Sequence, residues 1–82
     1  MENYKITVEV LGVETTKTGK TAFDALSKFE MGWEEIKSKG ILIAEKGDKK
    51  VEKLMNAPTL RRIFNNKIAK QSWAKNIETL LS

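Results

Sequence analysis

The sequence contains no cysteine and no histidine among its 82 residues. Without cysteine the chain has no disulfide framework and no thiolate zinc site. Histidine is the commonest general base and cysteine the best nucleophile, so the usual centres of acid–base and covalent catalysis are missing. The carboxylates and hydroxyls that remain form no catalytic motif. We therefore expect a protein that is not an enzyme, needs no cofactor or metal, and acts on no small-molecule substrate.

Long apolar runs are also missing from the chain. None approaches the roughly 18 residues that a membrane-spanning helix needs. Residues 1–5 alternate between polar and apolar, whereas a signal peptide has a continuous apolar core. The hydrophobic fraction of 40% and the charged fraction of 32% are typical of a globular chain. The sequence thus predicts one small cytoplasmic domain over residues 1–82, with no membrane partner.

Positive charge is concentrated in the last third of the chain. Residues 1–55 carry ten lysines against ten acidic residues, so their net charge is zero. Residues 56–82 have one acidic residue, Glu78, and therefore carry the whole net charge of +4. Their basic residues are Arg61, Arg62, Lys67, Lys70 and Lys75. Such an uneven distribution favours an acidic partner, for example a nucleic acid or an acidic protein.

Four short segments are predicted to form two β-hairpins. Tyr4 to Val10 alternates apolar and polar side chains, as a half-buried strand does, and Gly12 suits the tight turn that follows. The threonine-rich segment Val13 to Thr18 is typical of a returning edge strand. Ile41 to Ala44 and Val51 to Met55 form the second pair of strands. Their connecting loop could be two, three or four residues long, so their register stays open.

Helical periodicity begins after the first hairpin. Apolar residues spaced three or four positions apart predict a helix from Ala22 to about Ser38. Thr21 and Asp24 resemble a capping box at its start, with the shorter aspartate in place of glutamate. Gly32 is a weak point in this helix, because glycine costs about 1 kcal/mol relative to alanine there.

Residues 58–82 predict a basic helical arm. Proline is well suited to the first turn of a helix, so the arm is expected to start at Pro58. A single straight helix would point Leu60 away from Trp73. A bend near Asn65-Asn66 removes this conflict, because asparagine tolerates left-handed geometry.

The predicted order of elements is ββαββαα. A four-stranded antiparallel sheet built from two β-hairpins, with helices packed on one face, satisfies every amphipathic element, and the fold class is α+β. The predicted core consists of Ile6, Val8, Val10, Ala25, Leu26, Phe29, Ile36, Ile41, Ile43, Leu60, Ile63, Phe64, Trp73, Ile77 and Leu80.

These features favour a small binding module. A domain of this size has a small core and often completes it against a partner. We therefore expect a protein partner or a homodimer, bound through the C-terminal arm. The candidate interface residues are Trp33, since tryptophan is frequent at interface hot spots, and Leu81 near the end of the arm.

Nucleic-acid binding is the alternative function. In this interpretation Arg61, Arg62, Lys67, Lys70 and Lys75 contact phosphates of DNA. Two helices joined by a bend also resemble the outline of a helix-turn-helix, but the glycine often found in such turns is absent. The sequence leaves the choice between protein and nucleic acid open.

In overall character the chain resembles the short orphan proteins of bacteriophages and mobile elements. The likeness lies in the length, the composition rich in lysine, asparagine and isoleucine, and the lack of a catalytic motif. Because it involves no motif, the resemblance implies no role for any residue.

Overall fold

The computed structural model describes residues 3–29 and 37–82, which form one antiparallel sheet and three helices. The sheet has the strand order β2-β1-β3-β4. The predicted α+β class and the order ββαββαα are confirmed. The strands are β1 Tyr4–Val10, β2 Val13–Gly19, β3 Gly40–Lys46 and β4 Lys49–Met55, and the helices are α1 Ala22–Ser27, α2 Ala57–Asn65 and α3 Lys67–Leu80.

Both hairpins close through loops of two residues. Val10 pairs with Val13 across Leu11-Gly12, and Lys46 pairs with Lys49 across Gly47-Asp48. Leu11 and Gly12 have φ of 53° and 79°, and positive values at both central positions are those of a type I′ turn. In the second loop Gly47 has φ of 63°, which suits glycine. The register left open by the sequence is thus set by the shortest of the three possible loops.

Leu11 is expected to be a site where a substitution stabilises the protein. Its side chain is 81% exposed, so little packing is lost when it is replaced, while its left-handed backbone costs a non-glycine residue about 1 kcal/mol. We predict that Leu11→Asn raises the free energy of unfolding by about 0.5–1 kcal/mol, measured by urea denaturation. Leu11→Ala removes the same side chain without relieving the backbone, so an equal gain from both variants would contradict this explanation.

The helices cover the face of the sheet to which the even-numbered residues of β1 point. Ile6 and Val8 are fully buried there beside Leu42 and Ala44 of β3. The prediction that Ile41 and Ile43 lie in the core is wrong, since both point to the opposite face and are only partly buried. A shift of one residue reverses the face of a strand, and the uniformly apolar run Ile41 to Ala44 has no alternation that would select one face.

Helix α1 is shorter than predicted. It ends at Ser27, Lys28 is its C-cap, and Phe29 lies beyond the helix with its ring centroid 4.9 Å from that of Phe64. Residues 37–39 are not helical either, so a continuous helix to Ser38 is wrong. The middle of the predicted helix, including Gly32 and the core candidate Ile36, lies outside the described residues.

Side-chain hydrogen bonds anchor the start of α1. The Thr21 hydroxyl accepts a hydrogen bond from the backbone N–H of Asp24 at 3.0 Å, as in the predicted capping box. The short Asp24 carboxylate accepts from Lys20 N–H at 3.3 Å, one residue before the N-cap. Glu78 of α3 accepts from the backbone N–H of Ala22 at 3.1 Å. This last bond joins the C-terminal helix to the first one.

The end of the arm differs from the prediction by one position. Leu80, predicted in the core, is 46% exposed, whereas Leu81, predicted at an interface, is only 2% exposed. Leu81 follows Ile77 by four residues and Ala74 by seven, so the three side chains lie on one face of the helix. Because its side chain is part of the core, Leu81 is withdrawn as an interface residue.

The rest of the predicted core divides by burial. Val10, Phe64 and Trp73 are partly buried and pack against the core rather than within it. The predicted core residues that are buried are Ile6, Val8, Ala25, Leu26, Phe29, Leu60, Ile63 and Ile77.

No helix among residues 3–29 and 37–82 is long and apolar enough to span a membrane.

Candidate functional site

A single asparagine shapes the bend in the arm. The Asn66 side chain accepts a hydrogen bond from Ala69 N–H at 3.0 Å and thereby caps the start of α3. Its own backbone N–H donates to Arg62 C=O at 3.0 Å and closes the end of α2. Its backbone is extended, with φ −125° and ψ 117°, so the helices separate through an N-cap and not through left-handed geometry. The two helices are therefore held at a defined angle.

This bend opens a groove of about 510 Å³ between α2 and α3. Ile68 lines it and is 77% exposed, and Trp73 lines it while also packing against the core. Among the described residues that line it, Arg62 carries the charge. The other polar lining residues include Thr59, Asn66 and Ser72. The groove thus combines an exposed aliphatic side chain, a tryptophan and a guanidinium group.

The structure does not gather the five predicted basic residues into one site. Arg62 lines the groove, but adjacent residues diverge on a helix, so Arg61 points elsewhere. The helical repeat places Lys67 and Lys70 on the side of α3 away from Ile68 and Ser72. Lys75 follows Ile68 by seven residues and therefore lies on the Ile68 side. A single flat surface therefore cannot meet all five cations at once.

Four of these cations nevertheless have no ion-pair partner within the described part of the chain. The carboxylates there form three salt bridges, and none of these involves Arg62, Lys67, Lys70 or Lys75. Arg62 and Lys67 are exposed, and Lys70 is partly buried. Their charges are available to an acidic partner, although they point in different directions.

The two interface residues predicted from the sequence, Trp33 and Leu81, are not among the described residues that line the groove. Trp33 lies outside the described residues, and Leu81 is buried as noted above. The residue that sequence reasoning missed is Ile68. The sequence contained an indication of it. Ala69, Trp73, Ile77 and Leu80 are spaced as one apolar stripe on a helix, and Ile68 falls outside this stripe.

Comparison with protein-family models, curated proteins and solved structures found no match for this chain. Function is therefore inferred from the groove and from the surfaces around it.

Proposed function

We propose that this chain is a non-enzymatic, cytoplasmic protein-binding module whose partner protein occupies the groove between α2 and α3. The observation that carries the proposal is the 77% exposure of Ile68 in a groove that it shares with Trp73 and Arg62. An isolated exposed aliphatic residue is ordinary on a protein surface, but here it sits in a concave site next to a tryptophan and an arginine, two of the three residue types that are enriched at binding hot spots.

Burial of Ile68 would supply the main favourable free energy of binding. Apolar surface removed from water contributes about 25 cal/mol per Å², and a concave site removes more surface than a flat one. Arg62 would add orientation, because a guanidinium group binds a carboxylate through two parallel hydrogen bonds. A partner segment with an apolar side chain next to an acidic one fits this combination.

DNA binding through the basic arm is the second candidate function. It is supported by the net charge of +4 over residues 56–82 and by the unpaired state of Lys67, Lys70 and Lys75 within the described chain. It is the weaker candidate, because the cations do not share one side of the arm. Phosphate contacts require basic side chains that reach the same backbone together.

Capture of a partner from a nuclease-treated lysate tests the protein-binding proposal. We expect Ile68→Thr to reduce capture about tenfold relative to the wild-type chain, which corresponds to about 1.4 kcal/mol of binding free energy. Val13→Thr is the matched control, since Val13 is 67% exposed on the edge strand β2 and is not one of the residues that line the groove, so this variant should leave capture unchanged. Equal loss from both variants, or no loss from Ile68→Thr, would contradict the proposal.

Titration with duplex DNA at several salt concentrations tests the second candidate. If the arm contacts phosphates, the logarithm of the affinity falls with the logarithm of the salt concentration by a slope of about −0.9 per contact. Lys67→Gln and Lys70→Gln should then flatten this slope, while Ile68→Thr leaves it unchanged. Under the protein-binding proposal we expect weak DNA binding that disappears near physiological salt.

A further inference from the structure

None of the helices and strands in the described residues covers the face of the sheet opposite the helices, and this face carries excess negative charge. The strand register places on it two lysines and four glutamates, a net charge of −2. We call it the open face. Its charged and apolar residues are Lys5, Glu9, Glu14, Ile41, Ile43, Glu45, Lys50, Glu52 and Leu54.

Two glutamates on the open face lie directly opposite each other. Glu9 of β1 pairs with Glu14 of β2 in the register of the first hairpin. Both lysines of this face are engaged elsewhere, since Lys5 lies 3.7 Å from Glu45 and Lys50 lies 3.3 Å from Glu52. Neither Glu9 nor Glu14 forms an ion pair with another described residue. Like charges directly opposite on a sheet are destabilising, so a cation brought by a partner would relieve this pair.

An apolar patch, of which Leu54 is the exposed member, adjoins the glutamate pair. Ile41 of β3 is the next residue across the sheet from Glu9, and Leu54 of β4 is the next one after that. Leu54 is 73% exposed, and Ile41 and Ile43 are only partly buried. Acidic and apolar groups thus lie about one strand spacing, roughly 4.8 Å, apart on the open face. The groove between α2 and α3 has the opposite combination, a cation beside an aliphatic residue.

We propose that the partner is a second copy of this chain, whose open face occupies the groove. Arg62 of one copy then meets the Glu9–Glu14 pair of the next, and Ile68 packs on Ile41 and Leu54. This inference rests on the proposed function, because it names the occupant of the same groove. Its support is charge complementarity, since the arm carries +4 and the open face −2.

The two surfaces lie on opposite sides of the molecule, so the contact is head-to-tail. The helices cover one face of the sheet, the groove lies in this helical layer, and the open face lies on the far side. When two copies join through different surfaces, the pair still has one free groove and one free open face. Further copies can therefore add until the assembly closes into a ring, or it remains an open oligomer. Four strands of seven residues give a face of roughly 400 Å², about half of what each partner buries in a stable interface. We therefore expect weak, concentration-dependent association that salt reduces.

Sedimentation of the purified chain over a range of concentrations tests this inference. The wild-type chain should associate as its concentration rises. Ile68→Thr in the groove, and either Leu54→Thr or Glu14→Lys on the open face, should each weaken association about tenfold or more. Glu14→Lys should also raise the unfolding temperature of the monomer, because it places a lysine opposite Glu9, and a misfolded variant cannot give both results. Val13→Thr should associate like the wild-type chain.

A mixing experiment shows whether the contact is head-to-tail. Glu14→Lys keeps an intact groove and Ile68→Thr keeps an intact open face. An equimolar mixture of the two should therefore form a one-to-one dimer, although each variant alone is monomeric. A mixture that stays monomeric while the wild-type chain associates would overturn the proposed pairing of the groove with the open face. Association of Glu14→Lys on its own would overturn it too, because a contact between two grooves would leave that variant's interface intact.

This test separates the inference from the proposed function on which it depends. If the wild-type chain is monomeric at every concentration, the second copy is excluded as the occupant. Loss of lysate capture by Ile68→Thr would, in that case, still support binding of a different protein in the groove. If the chain is monomeric and Ile68→Thr captures as much as the wild-type chain, both the inference and the proposed function are wrong.

Discussion

Leu81→Ala is expected to lower the free energy of unfolding by about 2–5 kcal/mol, as deletion of a buried leucine does. Leu81 is 2% exposed and lies in line with Ile77 and Ala74 on the core side of the arm. Its removal leaves a cavity at the point where the end of the arm closes the core. A domain of this size has a total stability of about 5–10 kcal/mol, so a large part of it would be lost.

The neighbouring leucine provides the control. Leu80 is 46% exposed, and Leu80→Ala should cost less than about 1 kcal/mol, because little surface is lost from the core. Urea denaturation of both variants, with the slope against denaturant checked for constancy, measures the difference. Equal costs, or a larger cost at Leu80, would show that the arm is rotated about its axis relative to the structure described above.

Gly40→Ala is expected to cost about 1–3 kcal/mol, or more if the backbone must move. Gly40 lies in the inner strand β3, and a Cβ atom there would approach the Glu9 carbonyl oxygen to 2.6 Å and Val10 Cγ2 to 2.8 Å. The Leu60 side chain from α2 would lie 3.0 Å away. Since the closest atom belongs to the backbone of the neighbouring strand, the strand pair or α2 has to shift.

A second glycine serves as the matched control for Gly40. A Cβ atom at Gly12 would have nothing within 4 Å, and its φ of 79° is one that asparagine tolerates. Gly12→Asn should therefore cost less than about 1 kcal/mol. Thermal unfolding of the two variants compares them. If Gly40→Ala is as mild as Gly12→Asn, the close packing of β1, β3 and α2 at this point is not what we describe.

How far the sequence predicts this fold depends on whether a segment alternates. Tyr4 to Val10 alternates strictly, so both the strand and its buried face could be predicted. Ile41 to Ala44 is apolar throughout, so the strand could be predicted but its face could not. The length of the second hairpin loop could not be predicted either, because Lys46 and Lys49 could each belong to the loop or to a strand.

The end of α1 and the buried side of the arm could not be predicted either, for a different reason. The apolar spacing that predicted a helix to Ser38 continues through Lys28 and Phe29, where the chain instead leaves the helix and Phe29 meets the ring of Phe64. That contact depends on α2, which lies far away in sequence, so local periodicity could not reveal it. In the arm, Leu80 and Leu81 are adjacent and both apolar, and only packing against the core distinguishes them.

The candidate site was the least predictable part. The basic residues of the arm could be found by counting charges, but their directions depend on where the helix breaks and which side it buries. Ile68 could not be assigned to the site from the sequence, because an apolar residue outside the apolar stripe has no evident role by itself. It became a candidate only when the Asn66 cap placed it at the mouth of a groove with Arg62.

Amide NMR of the isotope-labelled chain gives the decisive test of the groove. Unlabelled partner is added, either the captured protein or a second copy of the chain, and duplex DNA is added in a parallel titration. We predict that the largest shifts on adding a captured protein occur at Arg62, Ile68 and the indole N–H of Trp73, while Lys67 and Lys70 change little. If a second copy is the partner, these shifts are accompanied by shifts at Glu9, Glu14 and Leu54 of the open face. Large shifts at Lys67 and Lys70 with DNA, together with an unchanged groove in every titration, would contradict a protein-binding role for this site.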